Sequence, residues 1–180
     1  MGDLDYKICS SDWTFYHGTD VYFTDISLSK AKPFKDFGKG FYLTTVLEQA
    51  IEWAEKKAGR NDRAYVYKYE VSKESIGSDM RILEHLRYTV DWLDLITECR
   101  MNDYEPEYDI IYDRMADGDV DRIVSDYSVG RRSATWALND LRKWQQERDQ
   151  YCFKTNKALD LLNKTDEIRL VRESSGWSRE

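Results

Sequence analysis

Across Gly59 the spacing of apolar residues changes, and this change limits the folds open to the chain more than any other feature. Before it, Leu47, Ala50, Ile51, Ala54 and Ala58 recur at the 3.6-residue helical period. After it, Tyr65, Tyr67, Tyr69 and Val71 alternate with a period of two, which predicts a strand over residues 64–71 with these four on one face. A helix and a strand this close, each with one apolar face, must cover those faces with further layers. The rest of the chain supplies them in irregular order. Strands are expected over residues 13–18, about 40–44, 108–112, 150–155 and 167–172. Thr45-Val46-Leu47-Glu48 has the form of a capping box opening the first helix.

Residues 89–101 read as a helix with Val90, Leu93, Ile96 and Arg100 along one side, and Val120, Ile123, Val124 and Tyr127 as another that stops near Gly130. Ala116-Asp117-Gly118-Asp119 reads as a turn between them and the strand before. Ser133 can cap a helix carrying Ala137, Leu138, Leu141 and Trp144, and a short helix runs through Ala158, Leu159 and Leu162. Residues 173–180 are expected to be loose. This interleaving predicts an α+β fold in one domain spanning residues 1–180, with a core over about 13–172.

Of the 180 residues 41% are hydrophobic and 14% aromatic, enough for a core despite 34% charged. No apolar run reaches the ~20 residues that span a bilayer, so no membrane partner is expected. The start of the chain lacks a basic stretch and a hydrophobic signal core, which makes a cytoplasmic location the expectation. Cys9, Cys99 and Cys152 lack metal-like spacing, so neither a disulfide framework nor a metal site is expected. A net charge of −7 disfavours a broad nucleic-acid surface. A local basic site remains, because Lys30, Lys32, Lys35 and Lys39 are interrupted only by Asp36. Gly38-Lys39-Gly40 runs into a strand, whereas phosphate loops leave a strand and open a helix. His85 has no partner in sequence and reads as a surface residue.

Two segments concentrate candidate functional groups. His17 ends an aromatic strand and precedes Gly18-Thr19, where a glycine allows close approach to the backbone. Tyr42 follows Gly40-Phe41 and offers a ring for stacking on a flat ligand. Tyr16-His17-Gly18-Thr19 and the stretch from Asp36 to Thr45, DFGKGFYLTT, resemble segments of the poly(ADP-ribose) polymerase and diphtheria-toxin-like ADP-ribosyltransferases. They resemble still more a bacterial family of small proteins sharing that fold. Gln49-Ala50, Trp53-Ala54, Tyr108-Asp109-Ile110-Ile111 and the segment from Gln150 to Leu159 follow in that family's order.

The resemblance implies a split β-sheet core with flanking and inserted helices, and NAD as the ADP-ribose donor. His17 would bond the adenosine ribose. Gly18 would hold the nicotinamide carboxamide through its backbone, with Thr19 beside it. Tyr42 and Trp53 would wall the nicotinamide ring, with Lys39, Gly40 and Phe41 lining the site. A serine that bonds the carboxamide in the polymerases is replaced by Ala50. Gln150 stands where many relatives place a catalytic glutamate, which favours single transfer over chain elongation. Alternation turns Cys152 to the same side as Gln150, and Asp149 and Tyr151 away; Asp149 and Glu147 are the substitute acids to consider. Replacing Gln150 by Glu is expected to keep or raise NAD cleavage.

The implied function is a mono-ADP-ribosyltransferase with an intracellular nucleic-acid or protein acceptor. A bacterial toxin or phage-defence effector with a neutralising antitoxin fits that activity. An NAD glycohydrolase and a non-catalytic NAD- or ADP-ribose-binding module are the alternatives.

Overall fold

The computed structural model describes residues 6–116, 120–143, 145–174 and 176–180. In chain order the elements are β1 (Trp13–Thr19), β2 (Phe41–Leu43), α1 (Leu47–Ala58), β3 (Arg63–Val71), β4 (Ile82–His85), α2 (Val90–Asn102) and β5 (Ile110–Ala116). Then follow α3 (Val120–Ser128), α4 (Ala134–Lys143), β6 (Gln145–Phe153), α5 (Asn156–Leu159), β7 (Asn163–Glu173) and β8 (Gly176–Arg179). Among the described residues the strands form two four-stranded sheets, ordered β1-β3-β7-β8 and β2-β6-β5-β4. Pairing is antiparallel except between β4 and β5, which run parallel with α2 as the connection. The fold is α+β.

One apolar layer lies between the sheets. Phe15, Tyr67, Tyr69 and Val71 from the first meet Phe41, Leu43, Ile110, Tyr112, Tyr151 and Phe153 from the second. β3 is buried on both faces at its start, because Ala64 and Val66 turn outward against Ala50, Ala54 and Ala58 of α1. The alanine stripe keeps α1 close to the sheet. Ile111 and Cys152 on the outer face of the second sheet are covered by Trp92, Leu93 and Ile96 of α2, Ile123 and Val124 of α3, and Leu138 and Leu141 of α4. Burying each large aliphatic side chain contributes about 1.5–3 kcal/mol, so the three helices are held by the sheet more than by intrinsic propensity.

Several expectations are corrected. The end of the chain is not loose, because β8 pairs with β7 and the Arg172 guanidinium lies 4.6 Å from the Trp177 ring centre. The expected capping box does not form. Val46 is the N-cap of α1 and has no side-chain cap, Glu48 is exposed, and the Thr45 hydroxyl donates to Asp149 instead. β4 carries no periodic signal in its four residues, and His85, expected at the surface, is a half-buried residue of this strand. Its Nε2 is sealed with no partner, and burial lowers its pKa. β5 and β6 are shifted from the expected spans, with β6 beginning at Gln145. The helix expected over residues 89–101 forms as α2, with Thr89 as its N-cap, the Thr89 hydroxyl accepting from Trp92 N at 3.2 Å. The turn expected at Asp117-Gly118-Asp119, and Trp144, lie outside the described residues. Among the described residues no helix is long and apolar enough to cross a membrane.

Candidate functional site

The two sheets touch edge to edge at one place. Tyr16 N donates to Thr44 O at 2.7 Å and Thr44 N donates to Tyr16 O at 3.0 Å, forming an isolated bridge between β1 and β2. Beyond it the strands part. Backbone groups alternate in direction along an antiparallel strand. Tyr16 points its N–H and C=O at β2, so Gly18, two residues on, aims its own donor and acceptor toward the same side, where the pairing of β2 with β1 has ended. The Gly18 α-carbon faces α1. A Cβ there would stand 1.9 Å from the Ala50 carbonyl oxygen, so helix packing itself requires glycine. Thr19 turns back locally, its hydroxyl accepting from Val21 N at 3.2 Å.

Strand alternation divides the expected trio. His17 faces the layer between the sheets. Its ring stacks on Phe41 with centroids 4.3 Å apart, and Nδ1 donates to the Tyr42 carbonyl at 2.7 Å. That bond fixes the tautomer and leaves Nε2 as the acceptor. Tyr42 and Gln150 lie on the other face of the second sheet, with Cys152, toward the helices. His17 is therefore not side by side with them and meets Tyr42 only through its backbone. Phe41 is a core residue, packed on His17 and Tyr69.

The glycine-flanked loop is internally satisfied. The Tyr42 hydroxyl donates to Gly38 O at 2.7 Å and accepts from Phe37 N at 3.0 Å. Lys39 N donates to both Glu105 carboxylate oxygens at 2.8 and 2.9 Å. Lys154 Nζ donates to the Phe37 and Lys39 carbonyls and pairs with Glu105. A Cβ at Gly40 would meet Cys152 Sγ at 2.2 Å. Lys39 keeps only its exposed side chain for a ligand.

Two features emerge only in three dimensions. Trp53 on α1 is 39% exposed, with Lys57 Nζ 4.8 Å and Lys56 Nζ 5.4 Å from its ring centre. Partial burial, then the repulsion of Lys35 and Lys32, lowers the Lys57 pKa, which brings the loop lysines and the helix lysines into one basic cluster. Exposed Phe34 belongs to the same loop and holds a left-handed φ of 59°, uncommon for an aromatic residue. The second feature is Asp149. It accepts from the Thr44 hydroxyl and from Thr45 N, both at 2.8 Å, and from the Thr45 hydroxyl, while its backbone carbonyl accepts from Gln49. Asp149 ties β6 to the entry of α1. The Glu147 side chain lies outside the described residues.

Burial lowers the His17 pKa to about 4, although the Tyr42 carbonyl pulls the other way. The folded state therefore binds fewer protons than the unfolded chain below about pH 6.5. Stability should be complete above that pH and fall as pH drops toward 4, by about 2 kcal/mol from this group at pH 5. Urea titrations of wild type and His17→Gln at pH 7 and pH 5 measure it, and the wild type should show the steeper loss.

Two surface grooves lie elsewhere. One, of about 310 Å³, is lined by Asp25, Ile26, Tyr69, Asn156, Asp160 and Lys164 among others, and the second by Arg63, Tyr65, Arg169 and Glu180 among others. Neither includes His17, Tyr42 or Gln150. A family model described as "Protein of unknown function (DUF3990)" matches residues 13–163, most of the chain and all of the elements around the β1–β2 parting. No curated protein and no solved structure matches.

Proposed function

We propose that this chain, which belongs to the DUF3990 family, is an NAD-dependent mono-ADP-ribosyltransferase whose donor site lies at the parting of β1 and β2. One observation carries the reading: Gly18 presents a backbone donor and acceptor on the side where β1 has lost β2 as a partner. A primary carboxamide, such as nicotinamide bears, complements that pair with its own acceptor and donor. Tyr42 and Trp53 supply aromatic faces, and Gln150 an amide for the ribose 2′-hydroxyl. His17 sets the spacing of the strands through the Tyr42 carbonyl, and its Nε2 is an acceptor for the adenosine ribose.

In the reaction, the glycosidic bond breaks with its electron pair leaving on nicotinamide, and an acceptor nucleophile bonds to the ribose carbon and loses its proton. The chain's part is to hold the donor and to place acceptor oxygens where positive charge develops. Lys32, Lys35, Lys56 and Lys57 suit a pyrophosphate or a polyanionic acceptor. A bacterial toxin or phage-defence effector acting in the cytoplasm, with an antitoxin to restrain it, fits that activity. The neutral amide at Gln150 favours one second reading, a module that binds NAD or ADP-ribose without turnover.

Purified protein incubated with NAD and cell extract should release nicotinamide and add ADP-ribose mass to RNA, DNA or protein. Tyr42→Ala should weaken NAD binding by the equivalent of about 1–3 kcal/mol, the range for losing a ring stacked on a base. Tyr42→Phe, which keeps the ring but frees the Gly38 carbonyl and the Phe37 N–H, should lose less NAD affinity than Tyr42→Ala. NAD binding without nicotinamide release identifies the binding module. Neither binding nor release would remove the assignment altogether.

A further inference from the structure

Gln150 is buried, yet it does not stand alone. Its Nε2 donates to Asp36 Oδ2 at 2.8 Å. Arg100 on α2 grips the same carboxylate, with Nε donating to Asp36 Oδ1 at 2.7 Å and a second guanidinium nitrogen also in contact. Arg100 reaches Asp121 with its remaining arm. The Arg100 and Asp36 side chains are only 17% and 19% exposed, so this grip is well shielded from solvent.

An ionised carboxylate only accepts hydrogen bonds. Asp36 therefore fixes which way the Gln150 amide faces, with its NH2 toward Asp36 and its Oε1 away. Among the described residues Oε1 takes no hydrogen bond and is not sealed from solvent. A bond from an amide N–H to a carboxylate also polarises the amide, which makes its oxygen a stronger acceptor. Asp36 and Asp121 carry two negative charges against the single positive charge of Arg100. The Asp121 side chain is 93% exposed and its charge is screened by water, so the negative charge beside the amide is that of the Asp36 carboxylate itself.

We propose that Asp36, oriented by Arg100, is the positioning residue that turns Gln150 Oε1 toward the ribose and supplies, one hydrogen bond away, the negative charge that a neutral side chain lacks. This rests on the ADP-ribosyltransferase reading. It explains how a glutamine can stand where an acid is wanted: the acid is present but comes from the loop before β2 and acts through the amide. The competing account makes the pair a means of satisfying two polar groups near a helix, with no consequence for chemistry.

The test compares wild type, Asp36→Asn, Arg100→Lys, Gln150→Glu and the double variant Asp36→Asn/Gln150→Glu. Each is checked for folding by circular dichroism and thermal melting. In the protein without NAD, the nitrogen–proton spectrum of the Gln150 side chain should show one NH2 proton shifted downfield by the carboxylate, and Asp36→Asn should abolish that shift. Asp36→Asn should lower kcat for nicotinamide release by about 10- to 100-fold, with KM for NAD changed about threefold or less, because the contact strengthens only as charge develops. Arg100→Lys, which keeps the charge and loses the two-pronged grip, should fall between. Gln150→Glu places two carboxylates within hydrogen-bond distance and should lose activity. The double variant restores one amide against one carboxylate and should recover more activity than either single change. A folded Asp36→Asn or Arg100→Lys protein with wild-type kcat overturns the inference and leaves the transferase reading intact. If Asp36→Asn fails to fold, Arg100→Lys decides alone. A wild-type protein that releases no nicotinamide instead overturns the transferase reading on which the inference rests.

Discussion

Gly18→Ala should destabilise the protein by about 3 kcal/mol or more, at the upper end of what overpacking costs. The reason is steric and not conformational, since Gly18 does not hold a left-handed φ. An added Cβ would lie 1.9 Å from the Ala50 carbonyl oxygen, 2.9 Å from its carbonyl carbon and 3.0 Å from Ala54 N. All three are backbone atoms of one helix, so no side chain can move aside. α1 would have to retreat from β1, opening the layer where Ala50, Ala54 and Ala58 meet Ala64 and Val66. For a chain of this length the loss corresponds to a fall in Tm of roughly 10 °C. Calorimetry of the purified variant checks it. A role for Gly18 confined to ligand approach gives the opposite pattern, with an unchanged Tm and lost NAD affinity.

That glycine shows how far a sequence reading reaches. The pattern before Gly59 located the alanine face of α1, and a Gly at the end of β1 marked a close approach. What approaches was not legible, because the partner lies on a different element. The same limit explains the capping box. Thr45 has a local rule in its favour, yet its hydroxyl goes to Asp149, more than a hundred positions later, since a buried carboxylate has more to gain from a donor than a helix end open to water. β8 is not legible because Gly176-Trp177-Ser178-Arg179 has no strand alternation of its own, and its order comes from pairing with β7. β4 is four residues long, too short for a period, and takes its place from its parallel partner β5.

For the candidate site, the motif residues can be picked out in the sequence, but their mutual placement cannot. Alternation along β6 correctly set Gln150 and Cys152 on one face and Asp149 and Tyr151 on the other. It could not relate β1 to β2, because the register of their single bridge, Tyr16 against Thr44, is a tertiary fact. Once that register is known, His17 must turn inward and Gly18 outward. Asp36 was in view as the acid among the lysines. Only the arrival of Gln150 from one side and Arg100 from the other gives it meaning, and it reverses the expectation for Gln150→Glu, which a neighbouring carboxylate makes unfavourable.

Asp149→Ala should cost roughly 3–4 kcal/mol, because the carboxylate holds three donors in a nearly closed site and hydrogen bonds to a charged group are worth about 1.5–3 kcal/mol each before non-additivity. Asp149 is 8% exposed and Thr44 is 5% exposed, so water reaches the freed groups poorly. The Thr45 backbone N–H suffers most, since it cannot rotate to find another acceptor. Asp149→Asn should cost only about 1 kcal/mol. Its carbonyl oxygen can stand at Oδ1, accepting from Thr45 N and the Thr44 hydroxyl, while its NH2 donates to the Thr45 hydroxyl, which turns to accept. An acid that performs chemistry behaves in the reverse way. Asn in its place would leave stability untouched and remove turnover, as its isosteric amide cannot carry the charge. Chemical denaturation of both variants, with nicotinamide release measured on the folded fraction, separates the two roles. The expected order of stability is wild type, then Asn, then Ala, with turnover per folded molecule retained in Asp149→Asn. Loss of turnover in a stable Asp149→Asn protein would make Asp149 the catalytic acid and remove the role proposed for Gln150.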